Sequence, residues 1–119
     1  MANEITVTTK LSFTKGGTTT SLEVSNLKVD VSGSRFIHNR QEIGTSEEAI
    51  DVGDLASVGY MLLVNRDATN FVEVRAGTGV ADTIKLKPGE SSLIRLVATA
   101  PFAIADTAAV ELEYLLIED

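Results

Sequence analysis

The chain of 119 residues is predicted to fold as an all-β protein, a jelly-roll-like sandwich of about eight to ten short antiparallel strands. Three observations predict it. Apolar and polar residues alternate with a period of two over most of the length. Glycine, proline, asparagine and aspartate break that alternation at the spacing expected between short strands. No helical period lasts the ~10 residues that a normal helix needs. An immunoglobulin-like sandwich is the alternative, since it shows the same texture of strands and turns. The length suits one domain with a real core, taken as residues 1–119.

Glu4 to Thr14 alternates, with Ile5, Val7, Leu11 and Phe13 on one face and Thr6, Thr8, Lys10, Ser12 and Thr14 on the other. Lys15-Gly16-Gly17 turns the chain. Thr18 to Val31 is a second strand with a phase fault: Leu22 and Val24 have one parity, Leu27, Val29 and Val31 the other. One extra residue near Ser25-Asn26, a β-bulge, restores the face; a strand crossing between sheets is the other device that would do so. After a turn at Ser32-Gly33-Ser34, Arg35 to Ile43 is polar enough to be exposed or to face a partner. Gly44 to Asp54 reads as a long acidic loop, with a helical turn possible at Thr45 to Glu48 and an extended piece at Ala49 to Val52.

Val58 to Val64 is apolar on both faces, which predicts an interior strand covered on both sides. Asn70 to Arg75 alternates, and the residues between, Asn65 to Asn70, are suited to bonding back to the local backbone, so the two runs read as a central hairpin. Ala76 to Val80 is punctuated by glycine. Asp82 to Lys87 is a short strand. Lys87-Pro88-Gly89-Glu90 predicts a type II turn, with proline at the first central position and glycine supplying positive φ at the second. Ser92 to Ala98 is a strand with Ile94 and Leu96 in phase. Pro101 to Ala105 is expected to pair only at an edge or over a short length. Ala108 to Ile117 ends the set, with Val110, Leu112, Tyr114 and Leu116 inward.

The chain has no cysteine, which excludes disulfides, a thiol nucleophile and a thiolate metal site. A net charge of -7, with scattered basic residues, argues against a nucleic-acid groove. Met-Ala-Asn-Glu lacks the basic start and apolar run of a secretory signal, and no apolar run approaches the length of a bilayer span, so synthesis and folding in the cytoplasm away from membranes are expected.

Each residue that suggests chemistry has a plainer reading. His38, the single histidine, would need a nucleophile or a carboxylate placed by the fold; amid Asn39, Arg40 and Gln41 it reads as a surface or interface histidine. Glu47, Glu48, Asp51 and Asp54 offer oxygens to a cation, yet lack the ligand spacing of a calcium loop and read as a solvated acidic loop. Glu111 and Glu113 share a face and Glu90 precedes another strand, but 5% aromatic content without tryptophan is poor ground for a glycosidase. Gly77-Thr78-Gly79 lacks the lysine and helix of a phosphate loop and reads as a flexible turn. Arg66 has the fork for a partner's carboxylate; an exposed loop arginine is the commoner case. No catalytic, cofactor-binding or metal residue is assigned, and the chain is expected not to be an enzyme.

The second half carries a resemblance. The block Gly59 to Asn70 (GYMLLVNRDATN), then FVEV, the turn LKPGES running into LIRL, and finally ADTAAVELEYLLIED, is similar to small virion proteins of tailed bacteriophages. The resemblance implies a β-sandwich structural subunit, such as a capsid cement or decoration protein bridging shell subunits, located in the virion after synthesis in the host cytoplasm. A tail, connector or fibre-associated module binding a receptor or carbohydrate is the alternative. It implies the major capsid protein or other virion proteins as partners, and a homo-oligomer, with a trimer as the form the resemblance suggests. Thr-rich faces bearing Thr6, Thr8 and Thr14 suit strand addition to a neighbour.

Overall fold

The structure is a computed structural model and describes residues 4–95 and 100–119. The chain divides into two compact units, one ending at Ser32 and one spanning Gly33–Asp119. The two four-stranded sheets belong to the second unit, and the first is a two-stranded hairpin.

The hairpin pairs β1 (Ile5–Lys15) with β2 (Thr18–Val29) in antiparallel register. Gly16 and Gly17 both take positive φ, 59° and 82°, the demand of a tight two-residue turn whose twist matches the strands. The phase fault is resolved by a bulge. Val7 faces Leu27 and Thr9 faces Val24, so β2 spends one residue more than β1 over that step. Asn26 sits there at φ 55°, a conformation asparagine tolerates, and its N–H donates to Thr8 Oγ1 at 3.1 Å. Leu27 and Val29 are thereby returned to the face of Leu22 and Val24. Cross-strand partners share a face, so one side of the ribbon gathers Ile5, Val7, Leu11 and Phe13 with Leu22, Val24, Leu27 and Val29. The opposite side holds Thr6, Lys10, Ser12 and Thr14 against Lys28, Glu23, Ser21 and Thr19.

The second unit contains β3 (Phe36–Ile43), β4 (Glu48–Ala49), β5 (Val58–Asn65), β6 (Val72–Arg75), β7 (Asp82–Leu86), β8 (Ser91–Arg95), β9 (Phe102–Ala105) and β10 (Val110–Glu118). They form two antiparallel four-stranded sheets, ordered β3-β10-β5-β8 and β4-β9-β6-β7. Among the described strands of this unit, β6 and β7 are the one sequential pair that are also neighbours; every other connection passes from one sheet to the other. Eight strands interleaved in this order match the double Greek key of a jelly roll, whereas an immunoglobulin-like sandwich would divide its strands differently between the sheets.

Both sheets contribute to one core. Met61 and Leu63 of β5 and Leu112, Tyr114 and Leu116 of β10 pack with Val72 and Val74 of β6, Leu86 of β7 and Ala103 and Ala105 of β9. All four apolar residues expected inward on the last strand, Val110, Leu112, Tyr114 and Leu116, are essentially without solvent exposure. The Tyr114 hydroxyl donates toward Gln41 Oε1 and the Asp51 carbonyl, which lets the ring be buried without an orphaned polar atom. Burial, followed by nearby Asp51, raises the pKa of this phenol.

Several expectations are corrected. β5 and β6 do not form a hairpin: β5 pairs with β10 and β8, and β6 with β7 and β9. The connecting residues do bond back to themselves, as their side chains suggest. Asp67 Oδ2 accepts the N–H groups of Thr69 and Asn70, and Asn65 Oδ1 accepts that of Asp67. This compact loop carries the chain into the other sheet, because Asn65 Nδ2 also donates to the carbonyl of Leu86 on β7. β5 is interior within its sheet, but only one of its faces is fully covered. Met61 and Leu63 are buried, while Leu62 on the reverse is 39% exposed. No helical turn forms at Thr45 to Glu48; Glu48–Ala49 is the short strand β4, placed slightly before the extended piece expected at Ala49 to Val52. β9 lies inside its sheet, not at an edge, though its pairing with β4 covers two residue pairs. The lysine-to-glutamate turn forms as expected: the Glu90 N–H donates to the Lys87 carbonyl at 2.9 Å and Gly89 has φ 82°. The expectation for Leu96 to Ala98 lies outside the described residues.

Candidate functional site

Five charged or titratable side chains gather on the outer face of the first sheet. Alternation along β10 that sends Leu112 and Tyr114 into the core sends Glu111 and Glu113 outward. On the neighbouring edge strand β3, Arg40 lies opposite Glu113, and His38, two residues away on the same face, lies opposite Leu115. The loop after β5 brings Arg66 to the same place. His38 Nε2 and Glu113 Oε2 are 2.7 Å apart, and Arg66 Nε donates to Glu113 Oε1 at 2.7 Å. Arg40 spans Glu111 at 3.4 Å and Glu113 at 3.6 Å. Glu113 is the hub, with its side chain 16% exposed while its partners are about half exposed. The hydrogen bond with His38, and then that from Arg66, hold its carboxyl below the usual range.

Thus His38 does have a carboxylate partner. The pair sits on an open sheet face, and two arginines compete for the same carboxylate, which keeps Glu113 ionised instead of poised to accept a proton. Beside it is a shallow depression of about 340 Å³ lined by Arg40, Glu42, Asp67, Ala109, Val110 and Glu111. Its walls are mostly charged and open, unlike the enclosed apolar pockets that hold small molecules. Arg66, considered as an anchor for another protein's carboxylate, is committed to Glu113 within its own chain.

A second cluster surrounds Glu47 in the acidic loop. Thr78 Oγ1 donates to Glu47 Oε1 at 2.6 Å, the Gly79 N–H donates to Oε2 at 2.9 Å, and Arg75 Nη1 to Oε2 at 2.7 Å. The Thr78 bond, then those of Gly79 and Arg75, lower the Glu47 pKa to about 2. The Gly77-Thr78-Gly79 turn is therefore an anion cradle whose occupant is a side chain of the same protein. Gly79, at φ 71°, supplies the left-handed geometry that aims its N–H inward. Arg75 turns its Nε to Asp82 Oδ1, its cross-strand partner on β7, at 2.7 Å.

The other acids of that loop are engaged as well. Glu48 accepts the Gly44 N–H and the Gln41 amide, Asp51 accepts the Gly53 N–H, and Asp54 lies 3.4 Å from Arg35. Among the described residues no group of three or more histidine or carboxylate side chains is placed to hold a metal ion. Glu90 accepts the Lys87 N–H and so closes its own turn. At the chain end Glu118 accepts the Ala56 and Ser34 N–H groups, with its pKa lowered chiefly by the first, and Asp119 pairs with Arg95.

The sequence signals were partial. Alternation places Glu111 with Glu113, and separately His38 with Arg40, but the register that joins the two strands is not written in either. The Glu47 cradle had no signal beyond glycine and threonine in a turn. In the hairpin unit the exposed groups are of another kind: Leu11, Leu22 and Phe13 are 78%, 76% and 54% exposed. No family model, curated protein or solved structure matches the chain.

Proposed function

We propose that the protein is a non-enzymatic structural component of a tailed-phage virion, a capsid cement or decoration protein that stabilises the head shell by bridging its subunits. The observation that carries this reading is where the unsatisfied surface lies. In the sandwich, the clustered charges satisfy one another: Glu113 with His38, Arg40 and Arg66, and Glu47 with Arg75, Thr78 and Gly79. Of the eight large apolar side chains left exposed among the described residues, five (Leu11, Phe13, Leu22, Val24 and Leu27) share one face of the hairpin, while Phe36, Leu62 and Val80 belong to three separate segments of the sandwich. Exposed contiguous apolar surface marks contact with other macromolecules. The segments that resemble small virion proteins form β5 and the loop after it, most of β6, the PGE turn, β8 and β10, and so supply strands to both sheets of the sandwich. A frame of that kind with a docking element suits a repeated building block.

On this reading the partners are the major capsid protein or other virion proteins, together with further copies of the chain. The test is to purify particles and assay them for this chain, then to compare particles made without it. Stoichiometric presence on heads and earlier rupture of deficient heads on heating are expected. Recovery on tails would move the protein to the tail-associated alternative, and recovery only as free protein would end the virion reading.

A further inference from the structure

The hairpin poses a physical problem that the rest of the fold does not. An isolated two-stranded ribbon is marginal in water, and one with a hydrophobic face needs that face covered. Here the bulge at Asn26 exists to align such a face, bringing Leu27 into phase with Leu22 and Val24. Leu11, Phe13, Leu22, Val24 and Leu27 are 78%, 54%, 76%, 44% and 42% exposed. Together they present on the order of 500 Å² of apolar surface, at the upper end of what a monomer carries.

We propose that this face is covered by the same face of a second copy of the chain. Area is the first ground. Two such faces brought together remove on the order of 1,000 Å² from water, the threshold for a specific protein contact. Charge is the second. Residues 1–32 hold three lysines against Glu4, Glu23 and Asp30, and so carry no net charge. Residues 33–119 hold seven basic and fourteen acidic residues, which is the whole net charge of -7. A partner selected by charge would be drawn to the second unit. The hairpin is neutral, and its Lys10 stands directly opposite Glu23 on the polar side, away from the apolar face. It can meet its own copy without like-charge repulsion, and a self-complementary patch is what a closed homo-oligomer uses. The polar face of Thr6, Ser12, Thr14, Thr19 and Ser21 stays outward.

The inference does not rest on the virion reading, since it concerns the isolated protein. Sedimentation equilibrium of the full chain at tens of micromolar is expected to give a multiple of the chain mass, and Leu11→Ser with Leu22→Ser is expected to give the mass of a single chain. Both leucines are over three-quarters exposed, so the double variant should keep the far-ultraviolet dichroism of the parent. A second measurement does not depend on that variant. The chain has no cysteine, so single-cysteine variants report cleanly. Thr20 faces Phe13 on the apolar side and Ser21 faces Ser12 on the polar side. Thr20→Cys should react with a maleimide at least tenfold more slowly than Ser21→Cys, and recover when the two serine substitutions are added. A parent protein of single-chain mass, or equal labelling rates at the two positions, would overturn the proposal.

Discussion

Replacing Asn65 with leucine should cost the sandwich about 2–5 kcal/mol, because this side chain holds the crossing from one sheet to the other. Asn65 is fully buried and is the one polar residue in that state among those described. Its Nδ2 donates to the carbonyls of Asn70 at 3.0 Å and Leu86 at 2.9 Å, and its Oδ1 accepts the Asp67 N–H at 2.8 Å. Leucine has the same branch point and the same number of side-chain heavy atoms and is somewhat larger, so no cavity is opened. Leu86 is buried, so its carbonyl loses this donor where water does not replace it, a penalty of about 1–3 kcal/mol. Asn70 and Asp67 are only half-buried, so water replaces their lost bonds at about 0.5–1 kcal/mol each. Urea titration followed by near-ultraviolet dichroism of buried Tyr114 measures the difference from the shift in midpoint at constant slope. Asn65→Asp sharpens the reasoning: it keeps the acceptor but points a carboxylate oxygen at two carbonyls, so at neutral pH it should be at least as damaging. A leucine variant within about 1 kcal/mol of the parent would refute the role assigned to these bonds.

Acid should remove the contribution of Glu47. Its folded pKa of about 2 lies below the ordinary 4.5, so between those values the unfolded chain binds a proton that the folded chain refuses. The contribution is present in full above 4.5 and is lost as pH falls toward 2, so the gap in melting temperature between parent and Glu47→Gln should narrow from pH 7 to pH 2.5; a widening gap would contradict the cradle. Leu63 and Leu62 are neighbours on opposite faces of β5, 0% and 39% exposed, so Leu63→Ala should cost about 2–5 kcal/mol and Leu62→Ala about 1 kcal/mol or less in the same urea assay. Gly89→Ala meets no atom within 4 Å but must hold φ 82°, so it should cost about 1–2 kcal/mol from backbone conformation alone, seen as a lower urea midpoint with unchanged slope.

The fold was legible wherever alternation and turn chemistry were both strong. The bulge at Ser25-Asn26 follows from a change of parity, and the type II turn from Pro88-Gly89. The inward set of β10 follows from every second residue being apolar. What failed was the inference from turn to hairpin between β5 and β6: local bonding of Asn65, Asp67 and Asn70 fixes a compact loop but not the sheet into which it delivers the chain. The double-sided apolarity of β5 misled for a related reason. It signalled a central position within a sheet, while Leu62 on its reverse face stays partly open to solvent. The charged hub at Glu113 depends on the register of β3 against β10 and on the loop carrying Arg66, which are long-range facts with no local trace. The hairpin's apolar face was visible as alternating residues, but its exposure was not, since the same pattern describes a strand of the core.

The proposed role in a virion is tested most directly by imaging purified particles at a resolution that traces side chains. Density that fits the β3-β10-β5-β8 and β4-β9-β6-β7 sheets on the head, with the β1–β2 hairpins of adjacent copies packed through Leu11 and Leu22, is the predicted result. Particles whose every ordered chain is assigned to other proteins, with this one recovered only from the soluble lysate, would contradict it.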